Sequence, residues 1–343
     1  MDPVLLSRIQ FGLGAAFHFL FPPITIGLAW LIVYLGWKYL RSGREEDEKT
    51  AFFWIKIFGM LFAVGVASGI AMEFMFGTNW SNYSRFVGDI FGSPLAAEGV
   101  FAFFLESTFL GVLVLGRKKV SRGFYWFSSL MVAVGSTLSA FWIIVANSWM
   151  QTPTAYRIVG EGIFRRAELT DFMAAVFNPS TLPRYTHTIV ASLFTGGLFM
   201  AGVSAWYLLR KEHQEFARRC FQLGITTAAI FSLLILVTGH FHSVQVALTQ
   251  PAKMATFEGL FKTQSGADLI LWGFPDVANQ AIRFKIAVPK LLSFLIHFDP
   301  NATVTGLDQI PRSLWPPFEL TFYPYHIMAV SYTHLTLPTN REV

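Results

Sequence analysis

Long apolar runs alternate with short polar stretches along the chain, and their length indicates the fold class. About 20 apolar residues are needed to cross the ~30 Å hydrocarbon core of a bilayer. Six runs reach this length, at residues 11–36, 52–76, 94–116, 124–147, 185–209 and 220–240. A seventh begins near residue 318. The pattern predicts an all-α, polytopic transmembrane helix bundle with six complete spans and the start of a seventh.

The connections between these runs differ in charge. Lys and Arg are concentrated in three of them, residues 37–51, 117–123 and 210–219. Basic connections lie on the cytoplasmic side, so residues 77–93 and 148–184 are expected outside, together with the N-terminus. After six crossings the long connection 241–317 is also expected outside, and connections of this length are usually functional or disordered.

Composition agrees with this topology and narrows the function classes. The 343 residues are 53% hydrophobic and 14% charged, which is typical of a polytopic membrane protein. The net charge of +5 comes from short basic clusters and forms no continuous stripe for nucleic acid. A single cysteine, Cys220, excludes an internal disulfide and a multi-cysteine metal site. The first run is too long for a signal peptide, so it is expected to remain as a span.

The end of the chain departs from the pattern. The apolar helix starting at residue 318 gives way to SYTHLTLPTNREV, a polar stretch typical of translated vector sequence. We therefore expect four parts: a six-helix transmembrane region with candidate metal ligands discussed below (1–240), an outer loop (241–317), the start of a seventh span (318–330) and a non-native tail (331–343).

Ionisable residues within or at the ends of the spans are the first functional candidates, because each costs several kcal/mol there unless it is paired, protonated or ligated. The candidates singled out among them are His18, Glu73, Glu98, Glu106, His187, His240 and His242. A lone histidine is often a hydrogen-bonded structural residue, and paired carboxylates can serve as hydrogen bonds between helices. Glu98 and Glu106 are eight residues apart, about 12 Å along one helix face, which favours proton relay or ligation.

Depth in the membrane links several of these candidates. His18, Glu98 and His187 are all expected near the outer surface, and Met328 lies about 15 Å into the seventh helix. A histidine and a methionine on facing helices form a normal axial pair for low-spin haem. Taken alone, Met328 is more typical of core packing.

Six stretches together resemble one family, the cytochrome bd quinol oxidases, from Ser7 to about Val330. They are SRIQFGLGAAFHFLFPPITIG, GVASGIAMEFMFGTNWSNYSRFVGDIFGSPLAAEG, AFFLESTFLG, GSTLSAFWIIVANSWMQTP, HTIVASLFTG and QPAKMATFEG. The resemblance implies subunit I, the large membrane subunit, whose family has nine spans. The final two spans and an acidic haem ligand of the family are absent from this sequence.

The resemblance also implies residue roles. His187 and Met328 correspond to the ligands of low-spin haem b, and His18 to a ligand of one haem of the active pair, high-spin haem b and haem d. Glu98 corresponds to the carboxylate beside that pair, and Glu106 and Ser139 correspond to proton-path residues. Lys253 and Glu258 match the quinol-oxidising pair of the outer "Q loop". The spacing of Lys253 and Glu258 alone favours the alternative that both are ordinary charged residues on a solvated loop.

The implied activity is quinol oxidation on the outer face and reduction of O2 to water through three haems, without copper and without proton pumping. The implied partners are a second membrane subunit (subunit II), a small single-helix subunit, and ubiquinol or menaquinol, with no nucleic acid. The implied location is the bacterial cytoplasmic membrane. The short 241–317 loop and the motif GHFHS resemble the short-loop, cyanide-insensitive branch, in which a further haem b can replace haem d.

Other functions fit the pattern less well. A transporter or channel also places buried carboxylates and histidines along an ion path, but the sequence lacks symmetric halves with interrupted helices. A haem-copper oxidase needs clustered histidines, and a cytochrome b of the quinol-cytochrome c reductase kind needs paired histidines on two helices. Neither pattern is present.

Overall fold

The computed structural model describes residues 2–336, with side chains described up to residue 329. The chain divides into two compact units, Met1–Ile235 and Leu236–Val343. In the described residues, six helical segments are long and apolar enough to cross a membrane. The predicted fold class, a helical transmembrane bundle, is confirmed.

The first unit is almost entirely helical. It contains α1 (Pro3–Phe19), α2 (Pro22–Ser42), α3 (Glu45–Gly77), α4 (Ser81–Ala97), a π-helical segment (Glu98–Phe103), α5 (Phe104–Leu115), α6 (Arg122–Gln151), β1 (Tyr156–Val159), a 3₁₀ turn (Gly162–Phe164), β2 (Arg166–Leu169), α7 (Phe172–Val176), α8 (Thr181–Leu209) and most of α9 (Gln214–Thr249).

The second unit mixes short helices and strands. It contains the end of α9, then α10 (Pro251–Phe257), β3 (Gln264–Ser265), β4 (Leu269–Asp276), β5 (Ala281–Val288), α11 (Leu291–His297), β6 (Thr303–Val304), two 3₁₀ turns (Leu307–Gln309 and Arg312–Leu314) and α12 (Phe318–Thr336).

The predicted first span, residues 11–36, consists of two helices. α1 ends at Phe19 and α2 begins at Pro22, and together they form one candidate membrane span, Pro3–Ser42, as hydropathy predicted. Pro22 and Pro23 lack the backbone N–H that would continue α1, whereas proline fits well in the first turn of a new helix.

The third span is longer than its apolar run. Residues 77–93, expected as a connection, are helical from Ser81 onward and form α4. α4 buries Val87, Ile90 and Phe91, which recur at helical spacing on one face. A hydropathy window averages the apolar residues of this face with the polar residues of the opposite face. The average is low, and hydropathy therefore does not predict the helix.

Strands occur in the connections 148–184 and 241–317, so the all-α description holds only for the bundle. β1 and β2 form an antiparallel hairpin within the 148–184 connection. In the 241–317 connection, β4 pairs with β5 and β3 pairs with β6, both antiparallel. These stretches are too short to span a bilayer and carry the β-branched and aromatic residues that favour strands.

α2 lies at the centre of the first unit and packs against α3, α6 and α8. Its crossing with α8 is made by glycines. A Cβ at Gly27 would lie 2.1 Å from the carbonyl oxygen of Ser192, and one at Gly196 would lie 2.5 Å from the carbonyl carbon of Gly27. Small residues at such crossings let helix backbones in membranes approach closely.

Ion pairs join the ends of the helices where the basic connections lie. Arg117 Nε lies 2.7 Å from Glu48 Oε1, and Arg219 Nη1 lies 3.4 Å from Glu46 Oε2. The three basic connections therefore gather at one end of the first unit, as an alternating topology requires. Which side of the membrane this end faces stays a prediction.

The seventh helix begins at Phe318, as predicted. Residues 331–336 of the expected tail continue α12, and residues 337–343 lie outside the described residues. The non-native origin of the tail stays a prediction, as does the division into four parts.

Candidate functional site

His18 sits near the C-terminal end of α1 with one ring nitrogen already engaged. Its Nδ1 lies 3.0 Å from Ser68 Oγ, and the Ser68 hydroxyl donates to the carbonyl of Gly65 at 2.9 Å. Because the serine proton is used in that bond, Nδ1 of His18 carries the hydrogen and donates to Ser68. This tautomer leaves the lone pair of Nε2 for a metal, and metal-binding histidines are usually oriented in this way. His18 therefore has the free donor atom that would hold a haem iron.

Two carboxylates on the third span each receive a hydrogen bond from α6. Ser139 Oγ donates to Glu98 Oε1 at 2.7 Å, and Ser136 Oγ donates to Glu106 Oε1. Ser136 and Ser139 lie one turn apart on α6. Glu106 is 6% exposed, whereas Glu98 is half-buried. A single turn of α6 thus holds both carboxylates, which suits a chain of proton-accepting groups.

The spacing of these carboxylates depends on an irregular helix. Glu98 begins the π-helical segment, and the N–H of Phe104 bonds to the carbonyl of Gly99, five residues earlier. π-Helical turns are rare and occur frequently at functional sites. Glu98 also lies near enough to His18, Glu73 and Glu106 to interact electrostatically with each of them.

α5 packs closely against α6 at Glu106. A Cβ at Gly135 would lie 3.0 Å from the Cβ of Glu106 and 3.1 Å from its backbone nitrogen. The neighbouring Ser136 was missed from sequence, although it lies three residues before Ser139 and hence on the same helix face. The motif GSTLS thus supplies a glycine for close approach and two hydroxyl donors.

The two predicted low-spin haem ligands lie in different units. His187 is half-buried on α8, in the first unit. Met328 is 60% exposed on α12, in the second unit. His187 Nδ1 and Nε2 and the Met328 thioether are chemically suited to haem iron. Their pairing stays a prediction.

The predicted quinol-binding residues lie on α10 and at its C-terminal cap. Lys253 is half-buried and Glu258 is 4% exposed, so the solvated-loop alternative is wrong for Glu258. Tyr325 Oη donates to Glu258 Oε1 at 2.9 Å. Burial raises the pKa of Glu258 to about 7, and the bond from Tyr325 opposes this rise. A carboxyl group with such a pKa can accept and release protons near neutral pH.

Sequence reasoning did not predict that two residues of the YPYHIM motif, Tyr325 and His326, belong to this region. His326 is 2% exposed, and its Nδ1 and Nε2 lie 2.9 Å and 3.0 Å from the carbonyl oxygens of Phe322 and Ile270. The contact with Ile270 ties α12 to β4. Tyrosine at a helical position beside apolar residues was the signal for Tyr325, because its hydroxyl needs a partner when buried.

Comparisons with known proteins give a consistent result. The family model described as "Cytochrome bd terminal oxidase subunit I" matches residues 6–339. "Cytochrome bd-II ubiquinol oxidase subunit 1" of Escherichia coli (strain K12) is 39% identical over 316 residues, which cover 92% of this chain and 61% of that protein. "Cytochrome bd ubiquinol oxidase subunit 1" of Bacillus subtilis (strain 168) is 37% identical, over 96% of this chain and 71% of that protein.

A less similar relative and a solved structure extend the comparison. "Putative cytochrome bd menaquinol oxidase subunit I" of Bacillus subtilis is 29% identical over 92% of this chain and 71% of that protein. The solved "structure of bd oxidase from Geobacillus thermodenitrificans" matches with a TM-score of 0.90 and 30% identity, over 98% of this chain and 76% of that one. The chain thus spans 61–71% of the length of these curated relatives.

Proposed function

The chain belongs to the cytochrome bd terminal oxidase subunit I family, and we propose that it is the haem-carrying large subunit of a respiratory quinol oxidase. Two quinols are oxidised on the outer face of the membrane, with release of four protons. One O2 is reduced to two water molecules with four protons from the cytoplasm. Charge separation then stores energy without a pumping stroke.

The family resemblance assigns the haem ligands, and their donor atoms suit this role. His187 and Met328 would hold a low-spin haem b, and His18 would hold one member of a pair made of high-spin haem b and haem d, or a further haem b in place of haem d. Bound haem supplies the electron transfer and oxygen reduction. The Ser68 hydroxyl fixes the tautomer of His18, leaving Nε2 as the ligating atom.

The observation that carries the proposal is the pairing of Glu98 and Glu106 with adjacent serines of α6 beside His18. Isolated carboxylates are too costly inside a membrane to be kept without a role. Each serine hydroxyl can donate to a carboxylate and accept from a carboxylic acid, so Ser136 and Ser139 hold both protonation states. We assign Glu106, Ser139 and Glu98 to proton delivery from the cytoplasmic side.

On the outer side, Lys253 and Glu258 bind the quinol. The carboxylate of Glu258 accepts a quinol hydroxyl proton, and the Lys253 ammonium donates to the second ring oxygen. The names of the relatives include both ubiquinol and menaquinol, so either class of quinol is a candidate substrate.

The whole assembly contains more than this chain. The proposed partners are subunit II and a small single-helix subunit, in the bacterial cytoplasmic membrane. The N-terminus and the 241–317 loop face outward, and the basic connections joined by Arg117 and Arg219 face the cytoplasm.

A difference spectrum tests the proposal. Membranes containing the chain and subunit II are measured reduced with dithionite and oxidised with air, and their O2 uptake is measured with ubiquinol and menaquinol analogues. His187→Ala is expected to remove the low-spin haem b signal. The exposed His297 on α11 provides the control, since His297→Ala should leave the signal intact. Absence of haem and of quinol-dependent O2 uptake in the unmodified protein would refute the oxidase assignment.

A further inference from the structure

The buried carboxyl group of Glu258 is hydrogen-bonded at one oxygen only. Oε1 receives the hydroxyl of Tyr325 at 2.9 Å. Oε2 is fully shielded and receives no hydrogen bond from the residues described in the structure. A buried acceptor without a partner is costly, so such an oxygen in a native protein calls for a role or an additional partner. A quinol hydroxyl is a donor of the required kind.

The hydroxyl of Tyr325 is held in place by its surroundings. Its ring lies 4.3 Å from the ring of Phe257, centroid to centroid, at an angle of 30°. The ring of His326 lies 5.5 Å away, and His326 is itself fixed by the carbonyls of Phe322 and Ile270. These ring contacts restrict the side-chain rotamer of Tyr325. The Tyr325 hydroxyl therefore fixes the orientation of the Glu258 carboxyl.

We propose that Tyr325 is a positioning residue for quinol oxidation: it holds Oε1 of Glu258 and leaves Oε2 as the proton-accepting atom. The inference rests on the proposed role of Glu258. In the step concerned, a quinol O–H bond breaks and its proton passes to Oε2. The products are the carboxylic acid of Glu258 and the quinol anion, so the total charge is unchanged. The sequence resemblance does not assign Tyr325 any role.

The pH dependence of quinol oxidation is expected to follow the pKa of Glu258, which depends on the groups around it. Glu258 caps α10, which packs against α12 and the 3₁₀ turn Leu307–Gln309. Among the side chains that the structure describes, the titratable and charged groups on these elements are Lys253, Asp308, Glu319, Tyr323, Tyr325 and His326. Asp308 accepts hydrogen bonds from Thr263, and Glu319 is exposed. The hydroxyl of Tyr325 stabilises the charged form of Glu258, so its loss raises the pKa of Glu258 further.

The experiment compares four variants of the assembled oxidase with the unmodified protein. They are Tyr325→Phe, Glu258→Gln, the double variant and the control Tyr323→Phe. Tyr323 lies on the same helix, and its ring packs against Trp272 and Phe322. The kcat and KM for a soluble short-chain quinol are measured between about pH 5.5 and 8.5, because a general base appears as an acidic limb. Rates are expressed per haem, so loss of assembly does not imitate loss of activity.

In Tyr325→Phe the acidic limb of kcat/KM is expected to move upward by roughly 1 pH unit, because the charged form of Glu258 loses a hydrogen bond that stabilises it. Activity at low pH should fall roughly 10-fold, which is the same shift expressed as a rate. Tyr323→Phe should match the unmodified protein, and Tyr325→Phe should add nothing in the Glu258→Gln background. The carboxylic C=O infrared band that disappears in Glu258→Gln should move to higher frequency in Tyr325→Phe.

Two results overturn different claims. If Glu258→Gln loses activity while the profile and infrared band of Tyr325→Phe match those of the unmodified protein, the positioning role is wrong and the proposed function stands. If Glu258→Gln retains the full pH profile, the proposed quinol role of Glu258 is wrong, and the role of Tyr325 falls with it.

Discussion

The crossing of α2 and α8 gives a prediction whose size can be worked from distances. In Gly196→Ala, the new Cβ would lie 2.5 Å from the carbonyl carbon of Gly27, 2.6 Å from its Cα and 2.7 Å from the nitrogen of Leu28. All three are backbone atoms, so no side chain can rotate away. The two helices must separate by about 0.9 Å to restore an ordinary contact of 3.4 Å.

Separation along this crossing weakens the packing of the helix that carries His187. Overpacking of a close-packed interior typically costs about 1–3 kcal/mol. For a unit of this size, each 1 kcal/mol lowers the melting temperature by roughly 2–4 °C. The assay is thermal denaturation of the detergent-solubilised oxidase, monitored by the absorbance of its haem. Gly196→Ala should melt several degrees lower and lose haem absorbance in the same transition.

A matched control lies on the same helix. A Cβ at Gly202 would have no atom within 4 Å, so Gly202→Ala adds a methyl group without a clash. Alanine favours helix over glycine by up to about 1 kcal/mol, and this variant should be as stable as the unmodified protein or slightly more stable. Equal melting temperatures for Gly196→Ala and Gly202→Ala would show that the two helices are not held as closely as described.

Three further predictions concern single side chains. Ser68→Ala removes the acceptor that orients His18, and haem affinity should fall about 10–100-fold in a haem-retention assay. Ser136→Ala leaves an oxygen of Glu106 buried without a donor, costing about 1–3 kcal/mol; quinol-dependent O2 uptake should fall while a low-spin haem spectrum persists. Because burial raises the pKa of Glu258 from 4.5 to about 7, the folded protein holds a proton that the unfolded chain releases between these pH values. The free energy of unfolding should therefore decrease by up to about 3 kcal/mol as the pH rises through this window, and Glu258→Gln should abolish that decrease in melting experiments.

The sequence predicted the spans well because membrane crossing depends on local composition. A run such as 185–209 needs only its own apolar residues to be recognised, and α8 extends it by four residues, to Thr181. α4 was missed because its apolar residues occupy one face, and its partners lie elsewhere in the chain. Pro22 and Pro23 mark the break within the first span in the sequence. Hydropathy does not predict the break, because it measures apolar character and not the absence of a backbone N–H.

The candidate site was predictable only in part, for a related reason. Costly residues such as Glu106 are conspicuous in an apolar segment. Their partners are not, since Ser136 is an ordinary small residue in a helix and is 30 residues away from Glu106 in the chain. Tyr325 and Glu258 are separated by 67 residues. Pairings over such distances are set by tertiary packing, which sequence spacing does not contain.

The π-helical segment Glu98–Phe103 has a consequence for how this part of the chain can change. A turn with bonds to the fifth residue holds an additional residue, so it sets the angular phase between the helix before it and the helix after it. In a regular α-helix, eight residues at about 100° each would place Glu106 about 80° away from Glu98 around the helix axis. Bonds to the fifth residue wind the chain less per residue, so the π-helical segment reduces this angle and lets both carboxylates face α6. The segment can accept changes of side chain, but its length is fixed by the two serines opposite.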